Sequence, residues 1–273
     1  MSNFVRRHSR LLFALVVLAL LAVVPTVSMA NHSWGGYHWA RTSNPFTLKV
    51  GDNVGTAWDS YLNTTISDWT QSTVLNLTKV AGTVNPRTCK ATAGMVQVCN
   101  STYGSNGWLG IAGISITGGT HITQGYVKLN DTYFNTAQYN TPAWRNLVSC
   151  QEIGHTFGLD HQDENFDNAN LGTCMDYTND PNGGGSYGPS NERPNGHDYD
   201  QLVTIYSHLD NVSTVGSFAA VSGQDSANEP ENWGQLIRSS RNGRVQIYEL
   251  DLGRGRRIFT HVFWADPERD SRQ

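Results

Sequence analysis

Between Cys150 and Asp163 the chain reads Gln151-Glu152-Ile153-Gly154-His155-Thr156-Phe157-Gly158-Leu159-Asp160-His161, which gathers an amide, a carboxylate and two imidazoles into one short run. On a helix, residues four apart stand one turn apart with Cβ atoms about 5 to 6 Å from each other, so Gln151 and His155 can face one metal ion. Glu152 falls beside them. Gly158 can take the left-handed conformation that ends a helix, and the returning chain then brings His161 to the same point from outside it. Three protein donors and one open position are what a catalytic zinc site needs, because the metal lowers the pKa of a water there to about 7. Glu152 is placed to take that water's proton and pass it to a leaving amine.

The positions Glu152, His155, Gly158 and His161 resemble the motif His-Glu-x-x-His-x-x-Gly-x-x-His of the metzincin clan of zinc endopeptidases, closest in character to its matrixin-like secreted members. Gln151 stands where the motif has its first His. Members of the clan place a Met in a tight turn beneath the metal, and Cys174-Met175-Asp176-Tyr177 offers one. In astacin-like and serralysin-like members a Tyr two residues beyond that Met is a further ligand and transition-state donor, and Tyr177 stands at that spacing. The resemblance spans residues 45 to 209. It implies an α+β domain with a twisted mixed sheet, an active-site helix and a Met turn. It also implies Zn2+ held by Gln151, His155 and His161, catalysis by Glu152 and Tyr177, a structural Met175, and protein or peptide substrates.

Position 151 leaves three readings open. Gln151 binds the metal through its side-chain oxygen, a weaker donor than an imidazole nitrogen. Alternatively His121 or His197 completes the site. In the third reading the metal is lost and the chain is a catalytically silent secreted binding protein of the same shape. A carbohydrate-binding module, suggested by the eight Trp, is the weaker idea because several of those rings fall at core spacing.

The elements that must position these residues follow from periodicity. Val54, Trp58, Tyr61, Leu62, Ile66 and Trp69 recur at helical spacing, predicting an amphipathic helix over 54–69. Strands are predicted over 46–50, 74–80, 95–99, 108–116 and 125–130, separated by Gly, Asn and Pro turn signals. Thr141-Pro142 is a helix start, with Thr as cap and Pro at the first helical position, for a helix running to about Phe157. A further helix is expected over 197–209, then a linker over 222–232. The tail over 233–264, with an Asn242-Gly243 hairpin turn, reads as a small β unit docked on or appended to the main domain.

Composition bounds the rest. At 273 residues the chain can bury a sizeable core, and with charged residues at 15% it carries no charge runs. Three Arg and no acid fall in the first 30 residues, so the remainder is acidic, which argues against binding nucleic acid through phosphate neutralisation. Arg6, Arg7 and Arg10 precede an apolar run from Leu11 to Val24, and Ser28-Met29-Ala30 suits cleavage after Ala30. The expected organisation is therefore a signal peptide (1–30), a catalytic domain (31–209), and a linker with a small β extension (210–273). The mature chain is expected to be secreted, monomeric and without a stable membrane anchor. The segment between residue 30 and the first strand is short and contains no Cys, so no propeptide that blocks a metal with a thiol is expected. Four Cys suit an oxidising compartment and allow three pairings. Cys89 with Cys99 closes a short loop and leaves Cys150 with Cys174, which would tie the active helix to the Met turn. The acids Asp163, Glu164 and Asp167 are read as solvated loop residues in preference to a calcium site.

Overall fold

The computed structural model describes residues 31 to 216 and 228 to 266, so the expected signal peptide and most of the expected linker lie outside the described residues. Nine strands form one sheet. They are β1 (His38–Trp39), β2 (Phe46–Asn53), β3 (Leu75–Ala81), β4 (Met95–Ser101), β5 (Trp108–Thr117), β6 (His121–Asn130), β7 (Gln235–Ser239), β8 (Val245–Gly253) and β9 (Arg256–Trp264). The order is β3-β2-β4-β6-β5-β9-β8-β7, with β1 pairing the start of β6. Pairing is parallel from β3 to β6 and antiparallel from β6 through β7, so the α+β expectation of a mixed sheet holds.

Four helices accompany the sheet: α1 (Asp59–Trp69), α2 (Asp131–Phe134), α3 (Pro142–His155) and α4 (Gly196–Ile205). Helix α1 begins later than its periodicity predicts, because Trp58 is its N-cap and buries its ring with Nε1 donating to Asp131. Along its packed face Trp69 Nε1 donates to the Cys150 carbonyl, which docks α1 on α3.

Helix α3 starts where Thr141 and Pro142 predict, with the Thr141 hydroxyl accepting from Trp144 N at 3.3 Å. From Ala143 to His155 all but Asn146 are buried, so this is a core helix enclosed on every side. Gly158 ends the turn with φ 91°, and a Cβ there would lie 1.8 Å from the Tyr37 carbonyl oxygen. Both the backbone conformation and the close approach require glycine. Asn195 caps α4 in a capping box with Asp198.

The disulfides are Cys89–Cys99 and Cys150–Cys174. The carboxy-terminal strands, expected as an appended unit, instead continue the main sheet. β9 pairs with β5 from Trp108↔Trp264 to Ile116↔Arg257 and covers an edge that would otherwise expose unpaired backbone. Alternation then sorts its side chains, with Phe259 and Phe263 joining the main core while Val262 packs with Trp108 and Trp233 on the other face. His261 has the parity of Phe259 and Phe263.

Candidate metal centre

Three imidazoles from three separate elements meet inside the protein. His155 is the last residue of α3, His161 follows the Gly158 turn, and His261 comes from the middle of β9. Each is nearly inaccessible, at 1%, 6% and 0% exposure. Their ring centroids are 3.9 to 5.0 Å apart, and their ligand atoms lie within 4.8 Å of one another.

The neighbours of each ring determine which nitrogen is bare. His155 Nδ1 lies 2.9 Å from the Leu159 carbonyl oxygen, which can only accept, so Nδ1 carries the proton and Nε2 presents a lone pair. His261 Nδ1 lies 3.0 Å from Glu152 Oε2, and when the carboxylate is ionised and accepts there, His261 Nε2 likewise presents a lone pair. His161 Nδ1 is 3.3 Å from Asp160 Oδ1. Asp160 is itself held by Arg238 of β7, whose Nη1 donates to Oδ2 at 2.6 Å and whose Nη2 donates to Oδ1.

The Nε2 atoms of all three histidines are buried without a hydrogen-bond partner. Leaving one such atom unpaired costs roughly 1 to 3 kcal/mol, and three facing one another are accounted for together by one shared cation. The donor set therefore fits a divalent transition metal, since imidazole suits zinc, copper, iron and nickel. Burial, reinforced at His155 by His261, pushes His155 down to about 3, and burial pushes His261 down to about 3. His161 is held well below the ordinary histidine value, again chiefly by burial. All three shifts favour the neutral form that a metal ligand requires.

Glu152 is wholly buried beside this cluster. Oε2 accepts from His261, whereas Oε1 has no partner. Burial pushes its carboxyl up to about 8 against the opposing influence of His155. Tyr177 packs on His161 at 4.1 Å between centroids and is backed by Phe166 at 4.8 Å. Burial raises its hydroxyl well above the tyrosine value, so it remains a donor. Met175 lies under α3, where a Cβ on Gly154 would come 2.8 Å from its Sδ. Trp34 packs edge-on against both His155 and His261.

Gln151, expected as the first ligand, directs its amide nitrogen to the Cys174 carbonyl at 2.7 Å and so links α3 to the Met175 turn, while its Oε1 has no partner. The third imidazole is His261, which sequence reasoning missed. His121 and His197, the other sequence candidates, lie elsewhere. His121 faces Asp210, and His197 stacks on His32. The one sequence signal for His261 is an imidazole set in the otherwise apolar run Ile258 to Trp264, and nothing in that run connects it to residues a hundred positions earlier.

No family model matches the chain, and no curated protein matches it. Among solved structures it is similar to high choriolytic enzyme 1, a hatching enzyme zinc-protease from Oryzias latipes (medaka fish). That likeness covers 62% of this chain and 94% of the other, at 11% identity and a TM-score of 0.32.

Proposed function

We propose that the chain is a secreted, zinc-dependent endopeptidase acting on protein or peptide substrates, with His155, His161 and His261 holding the metal. The observation that carries this reading is the convergence of three buried imidazoles, each with an unpartnered ring nitrogen, beside a carboxylate with one oxygen anchored and the other unengaged. A zinc ion bound there supplies Lewis acidity and brings the pKa of a water to about 7. Glu152 Oε1 accepts the proton of the attacking water and returns it to the leaving amine, while Oε2 stays fixed to His261. Tyr177 donates its hydroxyl to the oxygen on which negative charge develops. Asp160 and Arg238 hold the His161 side of the cluster in place.

A substrate must pass protein to reach this site. Phe166, behind Tyr177, lines a cavity of about 330 Å3 together with Asp163, Glu164, Arg241 and Asn242. Two disulfides suit an oxidising, extracellular setting, and no described helix is long and apolar enough to cross a membrane. A monomer that does not bind nucleic acid completes the reading.

The Glu152→Gln variant tests it. Gln keeps an acceptor for His261 Nδ1–H but cannot take a proton, so hydrolysis of an unfolded protein substrate should fall by about 100-fold or more with metal content unchanged. Equal activity in the variant would remove Glu152 as the base, and no activity in the zinc-loaded wild type would favour the silent binding protein instead.

A further inference from the structure

A second group of ligating side chains shares no residue with the centre above. His38 of β1, His208 and Asp210 beyond α4 present their atoms within 4.8 Å of one another. His38 Nε2 and His208 Nε2 face each other at 3.2 Å, and they lie 3.5 and 3.7 Å from the same oxygen, Asp210 Oδ1. In a tetrahedral zinc site with bonds of about 2.0 to 2.1 Å, ligand atoms stand about 3.3 to 3.4 Å apart. The triangle has that size.

The surrounding contacts favour a cation at its centre. His38 Nδ1 lies 2.9 Å from the Gly36 carbonyl oxygen, so the proton sits on Nδ1 and Nε2 is a lone pair, the second-sphere arrangement of a metal-bound histidine. The ring is buried, at 4% exposure. Asp210 Oδ2 is occupied by the Arg41 guanidinium at 2.9 Å and the Arg41 backbone nitrogen at 3.2 Å, which leaves Oδ1 to the imidazoles. A fourth donor stands at the same oxygen: His121 Nε2 is 3.3 Å from Asp210 Oδ1, and His121 is the register partner of His38 in the β1–β6 pair.

We propose that His38, His208 and Asp210, with His121 at their margin, form a second divalent-metal site, with zinc as the ion their chemistry best suits. The site is structural in character. It joins the amino-terminal strand and the start of β6 to the segment that follows α4, with His38 and His208 standing 170 residues apart in sequence. Three protein ligands are in place, and His121 or a water takes the fourth position.

The test is zinc stoichiometry on the full secreted chain, prepared without chelators and dialysed against metal-free buffer. Wild type should retain two equivalents. His208→Ala, at a side chain half open to solvent and therefore tolerant of truncation, should retain one, and Asp210→Asn should weaken the second equivalent by about 10-fold or more. Zinc should also raise the unfolding midpoint of wild type beyond that of His208→Ala. Two equivalents in both wild type and His208→Ala would overturn the proposal. So would a single equivalent in wild type that His261→Ala abolishes and His208→Ala leaves intact.

Discussion

Glu152 and its histidine neighbours titrate in opposite senses, and the difference is measurable in metal-free protein. Unfolded histidine takes a proton near 6.5, whereas His155 and His261 hold out to about 3. Between those values the unfolded chain binds more protons, so these residues cost stability as pH falls. Glu152, raised to about 8, binds its proton earlier in the folded chain and adds stability as pH falls from 8 to about 4.5, after which its contribution is constant. Below pH 4.5 the histidines of this cluster still draw protons, joined by Asp160, whose carboxyl His161 and Arg238 hold below its ordinary value despite burial. The urea midpoint of the metal-free protein should therefore drop steeply between pH 4.5 and 3, and a flat profile there would mean that the imidazoles are not buried as described. At this scale Glu152, His155 and His161 were legible in the sequence because one helical turn and one glycine relate them. His261 was not, because its arrival depends on the register of β9 against β5, and a one-residue slip would point it to the opposite face.

The elements were easier to read than their assembly. Helix α3 begins at its cap and proline as predicted and ends two residues short of Phe157, because Thr156 and Phe157 already belong to the turn that Gly158 completes. Strands β2, β4 and β5 run past their predicted ends, and β6 begins at His121, four residues before its predicted start. Periodicity carries no information about which strand edges meet, so the carboxy-terminal hairpins read as an appendage although they finish the sheet. The Cys150–Cys174 bridge works at this scale too, since it joins the last turns of α3 to the residue before Met175 across a separation of 24 residues. Replacing both cysteines with Ser should lower unfolding free energy by about 3 kcal/mol through the regained entropy of the open loop. Urea unfolding measures this directly, and a change under about 0.5 kcal/mol would show that Gln151 and the packing of Met175 hold the turn unaided.

For the molecule as a whole, the composition correctly described a large core rich in Trp, with seven of the eight indoles buried and hence unavailable as a sugar-binding surface. The described residues from His32 onward form one compact unit. Within it, β9 delivers His261 to the histidine cluster and β7 delivers Arg238 to Asp160, so the carboxy-terminal strands help to build the candidate site and are not an accessory to it. The most direct test of this account is the zinc content of His261→Ala and Gln151→Ala, measured side by side on folded protein. His261→Ala should lose one equivalent that Gln151→Ala retains. Loss of that equivalent from Gln151→Ala, with retention by His261→Ala, would contradict the account and return the third ligand to the helix.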